Sequence, residues 1–315
     1  HDNLAPVHTV FVTRKTNTLP FVAGLGPPVA AGGATLHEID GISMGPEYDI
    51  WVQDAMEFGT ATMPGVGGPR HLPVVLRSPR DWPLDPWTAD HWLGPDQGYD
   101  LHGAFRPGVD WIDWFGNLDC TPPLPGWPLG RIYTGYQGAT SMHPDVLAFL
   151  EAQAVQAPVL QIDTGWLLIG HVDEEVCFVP SAVGKPWRVV IPSTAMALSI
   201  LADLRAAGQG ALPVFEGTAD QTTVDGLLDW TEYTAYNQQC QLAIDGVRGE
   251  LEAGFSLEAG DVIEIPALFW KGGGTERAIA LMQAAKRMEG RMDPLYEELF
   301  AADDRMDGPT MMAIF

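Results

Sequence analysis

The alternation of two kinds of segment along the chain constrains its fold more than any other feature. Short runs rich in β-branched residues and bounded by Gly and Pro predict strands, and they cover residues 9–12, 74–76, 159–162, 176–179 and 189–191. Longer stretches with apolar residues at helical spacing predict helices, and they cover residues 143–157, 194–207 and 233–251. Because strands alternate with helices, the sequence indicates an α/β fold.

Two short polar segments lie in otherwise apolar surroundings: residues 51–59, which contain Asp54, and residues 170–175, which contain His171 and Asp173. A buried carboxylate is costly unless a cation, a metal or a hydrogen-bond donor compensates it. A guanidinium is planar, always protonated and rich in N–H donors, so two carboxylates can bind it from opposite sides. An isolated aspartate more often caps a turn or pairs with a structural arginine, but the paired segments favour a site for a cationic group.

The surroundings of both segments resemble the catalytic domain of the protein-arginine deiminases, a family that converts peptidyl-arginine to citrulline. The resemblance extends from about Tyr48 to Phe269, and its landmarks follow one another in the expected order at nearly unbroken spacing. The landmarks are residues 51–59, 72–80, 94–99, 115–123, 128–132, 153–158, 166–180 and 263–269. Several are weak alone, but their collinearity is specific.

The resemblance implies the fold of that family, the pentein fold, which is a five-bladed α/β-propeller with the active site at its centre. We expect residues 1–269 to form the N-terminal part of such a propeller, incomplete in this chain. We expect residues 270–315, which are polar and only loosely periodic, to be a helical or linker region that leads to a cleavage site.

The resemblance also implies roles for individual residues. Asp54 and Asp173 match the two aspartates that bind the guanidinium, and His171 matches the general acid/base histidine. His171 and Asp173 would share one face if their segment is extended. The implied substrate-binding residues are Trp51 and Ile169 as apolar walls, Arg80 as a contact to the substrate backbone, and Gly170 and Glu174. Trp51 and Ile169 fit a core role equally well.

A second arginine that the family carries two residues after Arg80 is replaced here by Trp82. The resemblance further implies calcium, bound through oxygen atoms. The implied ligands are the side chains of Gln53, Glu57 and Asp119 and the backbone carbonyls of Phe115 and Leu118. Oxygen ligands at short spacing suit a hard cation, although the same residue types are common on any protein surface.

The nucleophile expected from the resemblance is a cysteine in a His-Cys-Gly-Thr-type segment. None of Cys120, Cys177 and Cys240 has that context. An unfinished propeller would expose strand edges and an open core. We therefore expect a second polypeptide chain, produced by proteolytic processing, that completes a heterodimer and carries the cysteine. The alternatives are an inactive protein that binds arginine peptides and a deiminase of small guanidine compounds.

Composition limits the partners. The net charge of −24 repels nucleic acid and anionic membrane surfaces and attracts arginine-containing peptides, although a charge spread over the whole surface serves solubility equally well. No apolar run approaches the roughly 18 residues that cross a bilayer. Because the chain begins at His1 without a methionine, we expect a secreted protein from which a leader was removed.

Overall fold

The computed structural model describes residues 4, 6–41, 49, 51–80, 82, 84–100, 109–167, 169–182, 184–216 and 221–269. The chain divides into two compact units, residues 1–173 with 178–180 and residues 174–177 with 181–315. Each unit is described by itself. The predicted linker, residues 270–315, lies outside the described residues.

The first unit begins with a parallel strand pair connected by a helix. β1 (Thr9–Arg14) and β2 (Thr35–Asp40) pair along their whole length, and α1 (Leu19–Ala31) joins them. A proline at the start of α1 is tolerated because the N–H that it lacks has no partner in a first helical turn. This βαβ connection places the carboxyl end of β1 beside the start of α1.

A second sheet follows the short helix α2 (Val52–Ala55). β3 (Met56–Met63) pairs antiparallel with β4 (Arg70–Arg77), and β5 (Gly98–Asp100) pairs parallel with β4. The core beneath this sheet is apolar and consists of Ile39, Ala55, Met56, Val75, Leu84 and Trp87. Because α2 runs directly into a strand paired over its full length, the position of Asp54 is tied to the sheet.

A third sheet is centred on β7 (Ile132–Gln137), which pairs antiparallel with β6 (Leu118–Cys120) and β8 (Thr140–Ser141) and parallel with β9 (Leu160–Asp163). α3 (Pro144–Ala152) covers it. The core of this part consists of Phe115, Leu118, Ile132, Met142, Val146 and Leu150. β10 (Cys177–Pro180) lies after the segment that carries His171 and Asp173.

The second unit contains the parallel strands β11 (Trp187–Ser193) and β14 (Val262–Pro266). Its helices are α4 (Thr194–Ala206), α5 (Val224–Asp229) and α6 (Thr231–Phe255). A short hairpin is formed by β12 (Pro213–Val214) and β13 (Thr222–Thr223). The buried Asn237 of α6 donates to the carbonyl of Phe269 and accepts from its N–H, so the end of the described chain is fixed to the helix.

The predicted α/β class is confirmed, and each of the five predicted strands overlaps an observed one. The helix predicted over residues 143–157 ends earlier, at Ala152, because Ala154 adopts a left-handed backbone conformation with φ of 60°. In the described residues the strands form separate small sheets, and the five-bladed propeller stays a prediction. No helix of the described residues is long and apolar enough to cross a membrane.

Candidate active site

The three predicted catalytic side chains meet at Gly116. A Cβ atom built on Gly116 would lie 2.6 Å from Oδ1 of Asp54, 2.6 Å from Nδ1 of His171 and 2.9 Å from Oδ2 of Asp173. All three distances are below the 3.0 Å that real Cβ contacts essentially never undercut. The missing side chain at position 116 therefore makes room for two carboxylates and an imidazole around one point.

The turn that carries Gly116 is fixed by hydrogen bonds of the Asn117 side chain. This side chain is fully buried, donates to the carbonyls of Ile112 and Gly135, and accepts from the N–H of Gly135. Because Gly135 belongs to β7, the central strand of the third sheet, the turn is tied to the most highly paired part of the unit. The backbone of Gly116 is thus fixed in position at the point where the three side chains meet.

Asp54 and His171 are both buried, with 8% and 4% of their surface exposed. Oδ1 of Asp54 accepts a hydrogen bond from the N–H of Gly116 at 3.3 Å and lies 3.4 Å from Nδ1 of His171. Nε2 of His171 lies 2.8 Å from the carbonyl oxygen of Trp111. Since a carbonyl can only accept, we assign the proton to Nε2. Nδ1 is then the ring nitrogen that faces the carboxylate and can exchange a proton.

Asp173 lies in a 3-10 turn formed by Val172–Glu174, so the condition of an extended segment, under which His171 and Asp173 would share one face, is not met. The turn follows Gly170, whose φ is 88°. A Cβ atom there would lie 1.7 Å from Nε2 of Gln137, which donates to the carbonyl of Ile169. Only glycine suits both the backbone conformation and this close approach. Gly170 therefore sets the direction of the segment that carries His171 and Asp173.

Asp54 and Asp173 line one cleft of about 370 Å³. Trp51 also lines it, as predicted for an apolar wall, whereas Ile169 is not one of its lining residues. The remaining wall is formed by Val52, Gln53 and residues of β1 and α1 with the turn between them, namely Phe11, Val12, Thr13, Thr18 and Phe21. Sequence reasoning missed this wall because residues 1–47 match the family only loosely. Glu174 belongs to the second unit, and its role in substrate binding stays a prediction.

Arg80 is not exposed toward a substrate. Only 1% of its surface is accessible, Nε donates to Asp85 at 2.5 Å, and Nη2 donates to both carboxylate oxygens of Asp49 at 3.1 and 2.9 Å. Burial raises the pKa of Asp49 and raises the pKa of Asp85 to about 7, although the Arg80 guanidinium opposes both shifts. The guanidinium is thus paired with two carboxylates, and the expected contact between Arg80 and the substrate backbone stays a prediction.

Two of the side chains predicted to bind calcium are hydrogen-bonded to each other. Nε2 of Gln53 donates to Oε2 of Glu57 at 2.9 Å. Burial, together with the negative charge of Asp119, raises the pKa of Glu57 to about 7. Asp119 also accepts a hydrogen bond from the hydroxyl of Tyr133 at 3.0 Å. A cation shared by the two carboxylates would relieve their repulsion, so this donor set fits a hard metal ion.

Two of the predicted calcium ligands are backbone carbonyls. The carbonyl of Phe115 accepts from the N–H of Leu118, which leaves one of its lone pairs for another partner. Among the described residues, no cluster of three or more His, Cys, Asp and Glu side chains could hold a metal. A site here would therefore depend on Gln53 and the carbonyls as well as on the two carboxylates.

Comparison with known proteins establishes the family. The chain belongs to the protein-arginine deiminases, because the family model described as "Protein-arginine deiminase (PAD)" matches residues 1–294. Among curated proteins, protein-arginine deiminase type-4 of Rattus norvegicus is 36% identical over 281 residues, which cover 85% of this chain and 40% of the relative.

Two human relatives give the same result. Protein-arginine deiminase type-1 of Homo sapiens is 35% identical over 232 residues, which cover 70% of this chain and 34% of the relative. Type-3 of Homo sapiens is 32% identical over 281 residues, which cover 84% and 41% respectively. The chain spans between 34% and 41% of the length of these three relatives.

We predict that Gly116→Ala disrupts the site without unfolding the protein. Gly116 lies in a 3-10 turn that alanine can adopt, but the new methyl group would displace Asp54 and His171. Binding of an N-acetyl-arginine amide, measured by calorimetry, should weaken by about 10-fold or more, which is about 1.4 kcal/mol. The matched control is Gly24→Ala, where a Cβ atom meets nothing within 4 Å. Equal binding by both variants would show that the close approach at Gly116 is unimportant.

Proposed function

We propose that this protein, together with a segment that supplies a cysteine thiol, converts peptidyl-arginine to citrulline with release of ammonia. The observation that carries the proposal is the convergence of Asp54, His171 and Asp173 on Gly116, beside a cleft that both carboxylates line. Membership of the protein-arginine deiminase family supports the same activity.

Binding of the arginine side chain follows from the charges of the cleft. Burial of Asp54 is costly without a counter-charge, and a substrate guanidinium supplies that charge through charge-assisted hydrogen bonds. Asp173 holds the guanidinium from another direction, and Trp51 provides an apolar surface for the methylene arm. The net charge of −24 draws cationic polypeptides toward the site.

The chemistry proceeds in two stages. The thiolate attacks the guanidinium carbon and forms a C–S bond, and the C–N bond to the departing nitrogen then breaks as His171 donates a proton and ammonia leaves. Water then attacks the thiouronium carbon while His171 accepts a proton, the C–S bond breaks, and citrulline and the free thiol remain. The carboxylates of Asp54 and Asp173 hold the positive charge in place during both stages.

The thiol is the missing part of this arrangement. Cys120 and Cys240 are buried, and Sγ of Cys120 lies among the carbonyls of Thr121 and Leu129 and the amide of Gln156. We propose, as expected from the sequence, that a second polypeptide carries the nucleophile and that the enzyme is active only with it. A continuation of the same polypeptide would supply the same chemistry, and the experiment on the thiol below distinguishes the two.

We predict that the assembled enzyme converts arginine within a peptide at least about 10-fold more efficiently than free arginine, compared as kcat/KM. Citrulline should be measured on an N-acetyl-arginine peptide amide and on free arginine side by side. Equal turnover of free arginine would instead favour a small-molecule deiminase.

Asp54→Asn and Asp173→Asn should each lower turnover by about 100-fold or more, because the guanidinium would then be bound by only one charged carboxylate. Retained activity in either variant would remove that aspartate from the site.

We further propose that one calcium ion is bound by Gln53, Glu57 and Asp119 together with the carbonyls of Phe115 and Leu118. When bound, the ion neutralises two carboxylates and orders the segment next to the substrate site. Gln53 and Asp54 are consecutive residues of α2, so a fixed Gln53 also fixes Asp54. Gly116 follows Phe115 directly, so the backbone of Gly116, around which the three side chains meet, is linked to the same ion.

Chelation of calcium should therefore lower citrulline formation, and restored calcium should recover it. Glu57→Ala should raise the calcium concentration needed for half-maximal activity by about 10-fold or more, because one of two carboxylates is lost. A calcium titration followed by both activity and thermal stability would measure this. If neither the chelator nor the mutation changes activity or thermal stability, the polar cluster has only a structural role.

The source of the thiol can be identified by chemical labelling. A haloamidine resembles a substrate guanidinium and alkylates a nearby thiolate, so an arginine peptide should protect the reactive cysteine. We expect mass spectrometry of the active material to find the protected label on a separate polypeptide bound tightly to this one. A label on a continuation of this chain would contradict the two-chain proposal. A protected label on Cys120, Cys177 or Cys240 would contradict any external source of the thiol.

A further inference from the structure

We propose that Arg80 is a positioning residue for His171, that it acts through the indole ring of Trp114, and that it does not contact the substrate. The proposal deepens the proposed function and rests on His171 being its acid/base group. It concerns a residue for which the family resemblance implies a different role.

The first observation is the enclosure of the Arg80 guanidinium. Asp49 and Asp85 accept three hydrogen bonds from it, and its side chain has no exposed surface. Asp49 also accepts from the N–H of Leu84, and Asp85 accepts from the N–H of Trp82, so both carboxylates are fixed by backbone groups. To reach a peptide carbonyl, Arg80 would have to leave two buried carboxylates without their cation. That costs more than a single hydrogen bond to substrate returns.

The second observation is the pair of indole rings beside this ion cluster. The guanidinium carbon of Arg80 lies 5.4 Å from the ring centre of Trp82 and 5.6 Å from that of Trp114. The two indoles pack edge to face with their centres 5.0 Å apart. Nη1 of Arg80 has no hydrogen-bond partner among the described residues and is buried. Attraction between the cation and the two rings compensates part of that loss.

The third observation connects Trp114 to His171 in two ways. Their rings pack edge to face with the centres 6.4 Å apart. In addition, the N–H of Trp114 donates to the carbonyl of Trp111 at 2.9 Å, and the same carbonyl oxygen lies 2.8 Å from Nε2 of His171. A shift of Trp114 therefore acts on the imidazole through its ring contact and also through its hydrogen-bond acceptor.

These contacts form a continuous series of packed side chains from Arg80 to the catalytic groups around Gly116. With the guanidinium in place, Trp114 has one position, and the imidazole is held between that ring, the Trp111 carbonyl and Asp54. Without the Arg80 guanidinium, the imidazole can tilt, and Nδ1 no longer points toward the reacting nitrogen. The defect lies in proton transfer and not in substrate recognition, so it should be the same for every arginine substrate.

The test compares the wild type with two kinds of variant that interrupt this series of contacts. Arg80→Met combined with Asp49→Asn and Asp85→Asn removes the cation while keeping the cluster uncharged, so that no buried charge is left uncompensated. Trp114→Ala removes the ring, and Trp114→Phe keeps an aromatic contact and should rescue it. The matched control is Arg131→Met, because Arg131 also stacks on an indole, that of Trp127 at 5.1 Å, and its Nε donates to the carbonyl of Pro158.

Two readouts are measured on the full chain, with the thiol-bearing segment present for kinetics. The first is kcat and KM on an arginine peptide and on free arginine. We expect the triple variant and Trp114→Ala to lower kcat by about 10-fold or more on both substrates, with KM changed by less than about 3-fold. The second is the ring nitrogen signals of His171 in NMR spectra. They should move in these two variants and stay unchanged in Arg131→Met and nearly so in Trp114→Phe.

A rise of KM for the peptide alone, with free arginine unaffected, would show that Arg80 contacts the substrate and would overturn the proposal. Unchanged His171 signals in both the triple variant and Trp114→Ala would overturn it as well. If the wild type converts no arginine substrate, the proposed function fails. The NMR measurement then still decides whether Arg80 and Trp114 position His171.

Discussion

The close approach of three side chains to Gly116 is the constraint on which the rest of the site depends. Two carboxylates and an imidazole can share one point only if the residue between them has no side chain and its backbone does not move. Asn117 provides that rigidity, since its buried amide joins the turn to β7 through Gly135. The core of the third sheet thus sets the geometry of groups that come from distant parts of the sequence.

The charges around α2 have a common consequence. Asp54 and Asp173 line the cleft, while burial, together with the negative charge of Asp119, raises the pKa of Glu57 to about 7. A metal ion between Glu57 and Asp119 would relieve their repulsion, and the guanidinium of the proposed substrate would balance the charges of Asp54 and Asp173. Because Gln53 and Asp54 are consecutive residues of α2, we expect the proposed calcium ion and the proposed substrate to favour each other's binding. Such a linkage would need no large motion.

The sequence predicted the α/β class and the strands well because their patterns are local, and it singled out Asp54, His171 and Asp173 because their surroundings resemble a known family. It did not indicate features that depend on contacts between distant residues. The segment at Asp173 forms a 3-10 turn after Gly170, whose backbone approaches Gln137 too closely for a side chain, and no local pattern indicates that contact. Likewise, the burial of Arg80 depends on Asp49, which lies 31 positions away. The wall formed by β1 and α1 has no recognisable motif.

The Arg80 cluster also bears on why a chain would bury a cation between two carboxylates near its active site. Such a cluster is a weak source of stability, because apolar side chains of the same volume often stabilise a core more. Its advantage is directional: five hydrogen bonds fix the cluster, and two indoles pack on the fixed guanidinium. In this chain Trp82 occupies the position where the family resemblance implies a second arginine. We infer that the indole converts a site of substrate contact into a support for Trp114, and through it for the acid/base histidine.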